Sequence, residues 1–299
     1  MKHSVLVSGS LAYDRIMNFP DHFKNHIMPD KIHILNVSFV VETVEERFGG
    51  TAGNIAYNLA LLGEHPCLVS AVGEDFAPYK KHLEENGIDI SRITVIPDKK
   101  TAFASIITDL DDNQIAAFYA GALDDAPVLA HIPEDAEIAI VSPESKDIMI
   151  ERVRRYQTGG LRYVFDPAQQ LARFNGEELR QCAKGAYLVI GNDYEIGLFE
   201  QKTGWSIKEI AKHAKLVVVT YGEKGSRVYA EKGSRVVEIA AVKPEKFIDP
   251  TGAGDAYRAG FVAGLLDEKS LEECGNLASQ IAAKAICYYG AQEHRFTRV

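Results

Sequence analysis

The sequence predicts an α/β protein: a central, mostly parallel sheet flanked by helices, with a small β lid. Three observations carry that reading. From residue 137 onward, short apolar runs alternate with helix-like stretches, the rhythm of a parallel sheet covered on both faces. Two segments, 15–48 and 101–120, fall outside that rhythm and read as half-exposed β structure. The stretch 249–261, crowded with Gly and Ala, opens a helix on a glycine turn, the device by which α/β proteins meet anions.

Taken in order, residues 4–10 form an apolar run that ends in a turn at Gly9 and predict a buried first strand. Asp14 follows at its C-terminal end, where open α/β sheets place ligands. An Asp in that place serves either as a turn residue or as a ligand group. Pro20 and Pro29 break up the next stretch, and residues 32–48 alternate loosely, with Leu35, Val37, Phe39 and Val41 set against Asn36, Ser38 and Val40. That pattern predicts half-exposed strands. Gly49 and Gly50 then precede a helix over 55–62 that Gly63 stops, and adjacent glycines let a backbone approach a ligand closely. Asn54 is placed to cap that helix or to meet a ligand. A buried strand over 67–72, a helix over 78–86 ended by Gly87 and a short strand over 93–96 follow.

Residues 101–107 and 115–119 flank the acidic turn Asp109-Leu110-Asp111-Asp112-Asn113 and predict a hairpin. This hairpin is expected to pair with the strands of 32–48 as the small sheet. Beyond it the pattern predicts strands over 137–141, 162–165, 187–190 and 216–220. A further hairpin is expected over 226–230 and 235–240. Helices are expected over 148–157, 177–184, 194–202, 207–214, 253–266 and 271–289. The domain expectation is an α/β body of residues 1–14, 49–100 and 121–299, with the lid over 15–48 and 101–120.

Composition bounds the function. The 299 residues carry a formal charge of −9, which argues against nucleic acid or an anionic membrane as partner. No apolar run reaches membrane-spanning length. Cys67, Cys182, Cys274 and Cys287 lack metal or redox spacing and read as free thiols of a reducing compartment, so a cytoplasmic location is expected. The histidines at 3, 22, 26, 33, 65, 82, 131, 213 and 294 show no ligand spacing and read mostly as surface residues. No G-x-x-x-x-G-K-[ST] loop occurs, and no G-x-G-x-x-G follows the first strand, which disfavours a dinucleotide-binding dehydrogenase.

The chemistry concentrates in loops after strands. Gly252 and Gly254 free a turn to aim N–H groups outward at a helix start, where they join the positive end of the helix dipole. Asp255 beside that anion hole reads as a general base or as an ordinary N-terminal acid. Asn192 and Glu195 sit three apart at a helix start. That spacing suits either water-mediated Mg²⁺ and phosphate contacts or an Asn cap with its N3 Glu.

Two of these stretches together, Phe48-Gly49-Gly50-Thr51-Ala52-Gly53-Asn54 and Asp249-Pro250-Thr251-Gly252-Ala253-Gly254-Asp255, resemble the two signatures of ribokinase-like (PfkB) kinases. Four more stretches resemble the bacterial adenosine kinase branch: residues 9–14, 38–40, 166–173, and 192–195 taken with 202–205. The resemblance covers nearly the whole chain. It implies transfer of the ATP γ-phosphoryl group to the ribose 5′-hydroxyl of adenosine, with Asp255 as the base and the N–H groups of Gly252, Ala253 and Gly254 holding the transferring phosphoryl. It further implies that Asp14, Gly49, Gly50 and Asn54 hold the ribose. Ser10 and Ser38 touch the adenine edge, Phe103 and Phe118 sandwich the purine, and Gln169, Gln170 and Arg173 lie near the substrate. By the same resemblance Asn192 and Glu195 meet Mg²⁺ through water, and Thr220, Gly222 and Gly225 form the ATP turn. Asp249 and Thr251 precede a K⁺ site found in many members. The free edges of the lid sheet predict a homodimer through lid strands.

Overall fold

In the computed structural model, residues 4–111 and 113–296 are described; His3 and Asp112, both singled out above, lie outside them. Apolar runs of four to eight residues have become buried strands. β1 (Ser4–Ser8) pairs in parallel with β4 (His65–Val72) on one side and with β8 (Ala136–Val141) on the other. β5 (Asp89–Val95) extends the sheet beyond β4. β9 (Arg162–Phe165), β10 (Leu188–Asn192) and β11 (Leu216–Thr220) extend it beyond β8. The antiparallel pair β12 (Ser226–Ala230) and β13 (Arg235–Ile239) closes the far edge of this nine-stranded sheet. The order of strands reverses about β1, so its C-terminal end lies at a switch point, where crevices form in such sheets.

Two apolar layers cover the sheet. One includes Val5, Val7, Ile140 and Val218, packed against α1 (Thr51–Leu61), α7 (Ala253–Leu266) and α8 (Leu271–Ala285). The other includes Leu6, Val141, Phe165 and Val189, packed against α3 (Lys146–Gly159), α4 (Gly176–Ala183) and α5 (Asp193–Thr203). The short helices α2 (Ala77–Glu85) and α6 (Ile207–His213) complete the eight. Gly260 and Gly264 let α7 lie close on α8, since a Cβ on either would come within 3 Å of the Ala278 or Cys274 backbone.

A second sheet of four strands stands beside the first, in the order β3-β2-β6-β7: β3 is Thr43–Gly49, β2 Ala12–Asn18, β6 Ala102–Thr108 and β7 Gln114–Tyr119. Its make-up corrects three expectations. The β6–β7 hairpin pairs through β6 with β2, and not with a strand of 32–48. Asp14 sits inside β2 rather than in a loop after the first strand. The alternation of residues 35–41 forms no strand, because Phe39 packs edge-on to Phe19 and beside Phe23 at 4.8 and 5.0 Å. An aromatic cluster, not a ladder, takes up Phe39, while Leu35 and Val40 stay exposed. Asp109 ties the cluster to the β6–β7 turn by accepting the N–H groups of Phe23, Asp111 and Asn113, which holds its carboxyl down near 2. The four cysteines are buried and free, and no helix among the described residues is long and apolar enough to cross a membrane.

Candidate active site

Two helix starts from opposite ends of the chain meet beneath the small sheet. α1 starts at Thr51, earlier than the sequence predicts, so Asn54 lies within it and caps nothing. Its Nδ2 instead donates to Asp255 Oδ2, 2.8 Å away, at the first turn of α7. Loss of hydration pushes the Asp255 carboxyl up to about 6. Arg258 and the Asn54 hydrogen bond oppose that shift, while Asp166 and Asp14 add to it. Gly252, the residue before α7, takes φ 79°, a left-handed turn that brings Ala291 too near for any side chain. The N–H of Ala253 donates to the Pro250 carbonyl at 3.1 Å, so one of the three N–H groups expected in the anion hole is spent on the turn itself.

Asp14 reaches the same place from β2. Burial and the Asp249 charge raise its carboxyl to about 6. Gly49, opposite the small-sheet strand that carries Asp14, is glycine for a steric reason: a Cβ there would lie 2.2 Å from Asp14 Oδ2. Gly50 follows at φ 86° and passes close over the Ser10 carbonyl. Ser10 is only 4% exposed, and its hydroxyl accepts the Thr51 N–H at 3.0 Å. It thereby supplies the cap that Gly50 lacks, and its own hydrogen is left to donate elsewhere. Ser38 is exposed on the irregular segment.

The register of the small sheet corrects the aromatic sandwich. Phe103 stands level with Tyr13 and Tyr119, whereas Phe118 stands level with Ala104, which is level with Asp14. Side chains alternate faces along a strand, so the two phenylalanines project from opposite faces. Phe103 packs against the body, with Tyr119 at 5.1 Å and Arg15 over its ring. Phe118 shares the Asp14 face with Ile16, Ala104, Ile106 and Ala116 and is 57% exposed.

Residues 168–173 form a short 3-10 turn. In it Gln170 Oε1 is buried without a hydrogen-bond partner, while Gln169 and Arg173 are exposed. Asn192 and Glu195 form a reciprocal capping box: Asn192 Oδ1 accepts the Glu195 N–H, and Glu195 Oε2 accepts the Asn192 N–H, both at 2.8 Å. Glu195 also lies 3.7 Å from Arg258. Thr220 ends β11, and Gly222 and Gly225 shape a turn closed by the Tyr221 N–H on the Gly225 carbonyl. Asp249 accepts the N–H groups of Thr251 and Gly290, which holds its carboxyl low despite burial. Among the described residues no group of three His, Cys, Asp or Glu side chains is placed to hold a metal ion.

Several residues of this site went unmarked in the sequence. Arg258 makes a two-pronged, buried ion pair with Asp166, at 2.5 and 2.8 Å, directly behind Asp255. Gln292, far along the chain, donates to Asn54 and also to the Tyr79 hydroxyl of α2. His82 and His294 are not surface residues. His82 meets Gln292, and His294, fully buried against Asn58, is pushed down to about 4. Arg258, one helical turn after Asp255, Asp166, which opens the stretch 166–173, and Gln292, in the stretch 290–292 where the resemblance places further carbonyls, carried a sequence signal; Tyr79, His82 and His294 carried none. A cavity of about 610 Å³ opens nearby among Arg47, Tyr288, Tyr289 and Glu293. The larger one, about 840 Å³, opens at the opposite edge of the sheet around Arg162, Tyr187 and Lys215, and no expected site residue lines it.

Comparison with known proteins shows the family and the fold. The family model described as pfkB family carbohydrate kinase matches residues 2–297. A nucleoside kinase of Methanothermobacter thermautotrophicus is 32% identical over 96% of this chain and 91% of its own. The structure of Burkholderia thailandensis nucleoside kinase in complex with inosine is 38% identical, with a TM-score of 0.88 over 98% of this chain and 94% of that one. The Methanocaldococcus jannaschii nucleoside kinase structure, 28% identical, superposes with a TM-score of 0.90 over 99% and 95%. With a family model matched over nearly its whole length and a relative 32% identical over 96% of it, the chain belongs to the pfkB family of carbohydrate kinases.

Proposed function

We propose that the protein is an ATP-dependent nucleoside kinase that phosphorylates the ribose 5′-hydroxyl, with adenosine as its first substrate, giving AMP and ADP. The observation that carries this reading is Asp255: a carboxylate raised to about 6, placed at a helix start beside a left-handed glycine turn, and fixed by Asn54. Such a group is ionised at neutral pH yet more basic than an exposed Asp, which suits it to take a hydroxyl proton. The N–H groups of Gly252 and Gly254 face the charge that develops on the transferring phosphoryl. Asp14 and Asn54 hold the ribose, and an Asp that accepts from sugar hydroxyls disfavours a deoxy sugar. Thr220, Gly222 and Gly225 would line the donor ATP, and Asn192 and Glu195, whose capping box leaves lone pairs for water, would hold Mg²⁺ through water, which would supply positive charge to the phosphates. The unpartnered Gln170 Oε1 fits a turn that closes on a ligand.

The apolar floor of Ile16, Ala104, Ile106, Ala116 and Phe118 supports a flat base over a free sugar, which would want polar contacts. A second reading, a kinase of several nucleosides, is favoured by the Asp14 face, whose apolar residues Ile16, Ala104, Ile106, Ala116 and Phe118 offer no polar group to distinguish adenine from hypoxanthine. The relative solved with inosine agrees with that reading. The test is ADP production with MgATP against adenosine, inosine, guanosine, cytidine and ribose, with and without K⁺. Turnover with nucleosides and not with ribose is expected. Turnover confined to ribose would overturn the floor argument, and no turnover with any would favour a nucleoside-binding protein.

We also propose that two copies associate through the small sheet, whose outer strands β3 and β7 carry Val44, Ile115, Phe118 and Tyr119 more than 40% exposed. Light scattering at micromolar concentration is expected to give twice the mass of one chain, and a monomer would count against it.

A further inference from the structure

Behind Asp255 lies a chain of hydrogen bonds whose direction is fixed from its far end. It starts at the Gly49 main-chain carbonyl, which can only accept. The Tyr79 hydroxyl donates to it at 2.8 Å. Tyr79 is fully buried, and burial keeps its phenol protonated. Its single hydrogen is therefore used, and its oxygen must accept from the next group, Gln292 Nε2, at 2.6 Å. That sets the Gln292 amide with its nitrogen inward, so it faces the oxygen of Asn54, 2.9 Å away, and not the nitrogen. With Oδ1 so engaged, Asn54 turns Nδ2 to Asp255 Oδ2. The other end of Gln292 agrees: Oε1 meets His82 Nε2 at 3.1 Å, and burial lowers the His82 pKa, so a neutral ring with hydrogen on Nε2 donates. Flipping either amide would set oxygen against oxygen and nitrogen against nitrogen at buried positions, which is costly. Gly53 gives the chain its passage, since a Cβ there would lie 2.0 Å from the Tyr79 hydroxyl and 3.1 Å from Gln292 Nε2.

We propose that Tyr79 and Gln292 are positioning residues that fix the Asn54 carboxamide with its nitrogen toward Asp255, so that the carboxylate is held as an acceptor through Oδ2 and takes the substrate proton at Oδ1. The inference rests on Asp255 being the base. It adds that the orientation of Asn54 is not set by Asn54 itself but by a polarity relayed from a main-chain carbonyl at the end of β3. That carbonyl belongs to the small sheet, so a displacement of this strand reaches the base through four hydrogen bonds.

The other charged groups around Asp255 are Arg258 on its own helix, Asp166 after β9 and Asp14 on β2, with Glu195 behind Arg258. None of them is touched by the variants of the test, which compares pH profiles of kcat/KM between pH 5 and 8.5. In Gln292→Glu a charged acceptor replaces the donor, so Asn54 turns its nitrogen toward it and presents oxygen to Asp255, and the added charge pushes Asp255 the same way, which leaves the uncharged Tyr79→Phe as the deciding variant. The acid limb is expected to move up by about one pH unit, and turnover at pH 6.5 to fall roughly tenfold. Tyr79→Phe removes the hydroxyl that sets the direction while keeping the ring, so Gln292 is free to flip. The limb is expected to move the same way by about half a unit, with the melting temperature and the nucleoside KM at pH 8.5 near those of the parent. Tyr79→Phe carries the test where Gln292→Glu fails to fold. A folded Tyr79→Phe protein whose limb coincides with the parent's, in an enzyme that Asp255→Asn inactivates, would overturn the relay alone. Retained turnover in Asp255→Asn would overturn the base and the relay with it.

Discussion

Asp255→Asn is expected to lower turnover by about 10²–10⁴-fold, the usual range for removal of a positioned general base. The amide keeps an oxygen for Asn54 to donate to, so the local geometry has a means of surviving, and nucleoside affinity is expected to persist. In the parent, the base form must be ionised. With Asp255 near 6, kcat/KM is expected to fall as pH drops through that value and to level off above pH 7. Asp14 sits near 6 as well, so nucleoside binding to Asp255→Asn still weakens below pH 6, when the group that accepts the sugar hydroxyls takes a proton. Stability runs the other way. A carboxyl raised from 3.8 to about 6 on folding binds protons more readily folded than unfolded, so it costs stability at neutral pH, and that cost fades between about pH 6 and 4. Asp255→Asn should accordingly melt above the parent at pH 7.5 and level with it near pH 4. Steady-state kinetics, calorimetric nucleoside titration and melting curves check the three parts. Turnover within tenfold of the parent would remove Asp255 as the base.

Arg258→Met carries the largest expected effect on folding. The guanidinium and Asp166 are both buried and share two hydrogen bonds, so removing the cation leaves an ionised carboxylate without a partner in a dry place. Breaking such a pair costs about 3–5 kcal/mol. With an unfolding entropy of about 2.1 cal/mol/K per residue, that lowers the melting temperature of the 299-residue chain by about 5–8 °C. The double variant Asp166→Leu with Arg258→Met is expected to recover most of the loss, since an apolar pair of similar volume has no charge to desolvate. Activity should not recover with it, because Arg258 is the cation that most strongly opposes the upward shift of Asp255. Thermal melts of the parent, both single variants and the double variant check this. A change below about 1 °C in Arg258→Met would show that the pair carries no stability.

The body of the fold was legible because its signal is local. The strands later found at 4–8, 162–165, 216–220 and 226–230 are short apolar runs bounded by turn residues, and a buried parallel sheet needs little else. The glycine turn at 252–254 was legible for a related reason. Only a residue without Cβ tolerates φ 79° against Ala291, so the sequence must show a glycine there. The small sheet was harder to read. Its β2 is half-exposed on both faces and carries Asp14, Arg15 and Asn18, a composition that reads as loop. The loose alternation of 35–41 spends only Phe39 on packing, in the cluster with Phe19 and Phe23, a contact between residues far apart along the chain.

What the sequence determined by itself is therefore what one segment can specify alone: the alternating α/β order, the glycine turns, and the residue types capable of proton transfer and phosphate contact. Only the tertiary structure decided which of them meet and in what state. The register of β6 on β7 sends Phe103 and Phe118 to opposite faces, a matter of a single residue of slip that composition does not encode. The hydrogen-bond direction from Gly49 to Asp255 passes through residues 49, 79, 292, 54 and 255, and no spacing along the chain anticipates it. The raised Asp255 carboxyl likewise comes from groups on other elements, because loss of hydration and the field of neighbouring charges exist only once the chain has brought them together.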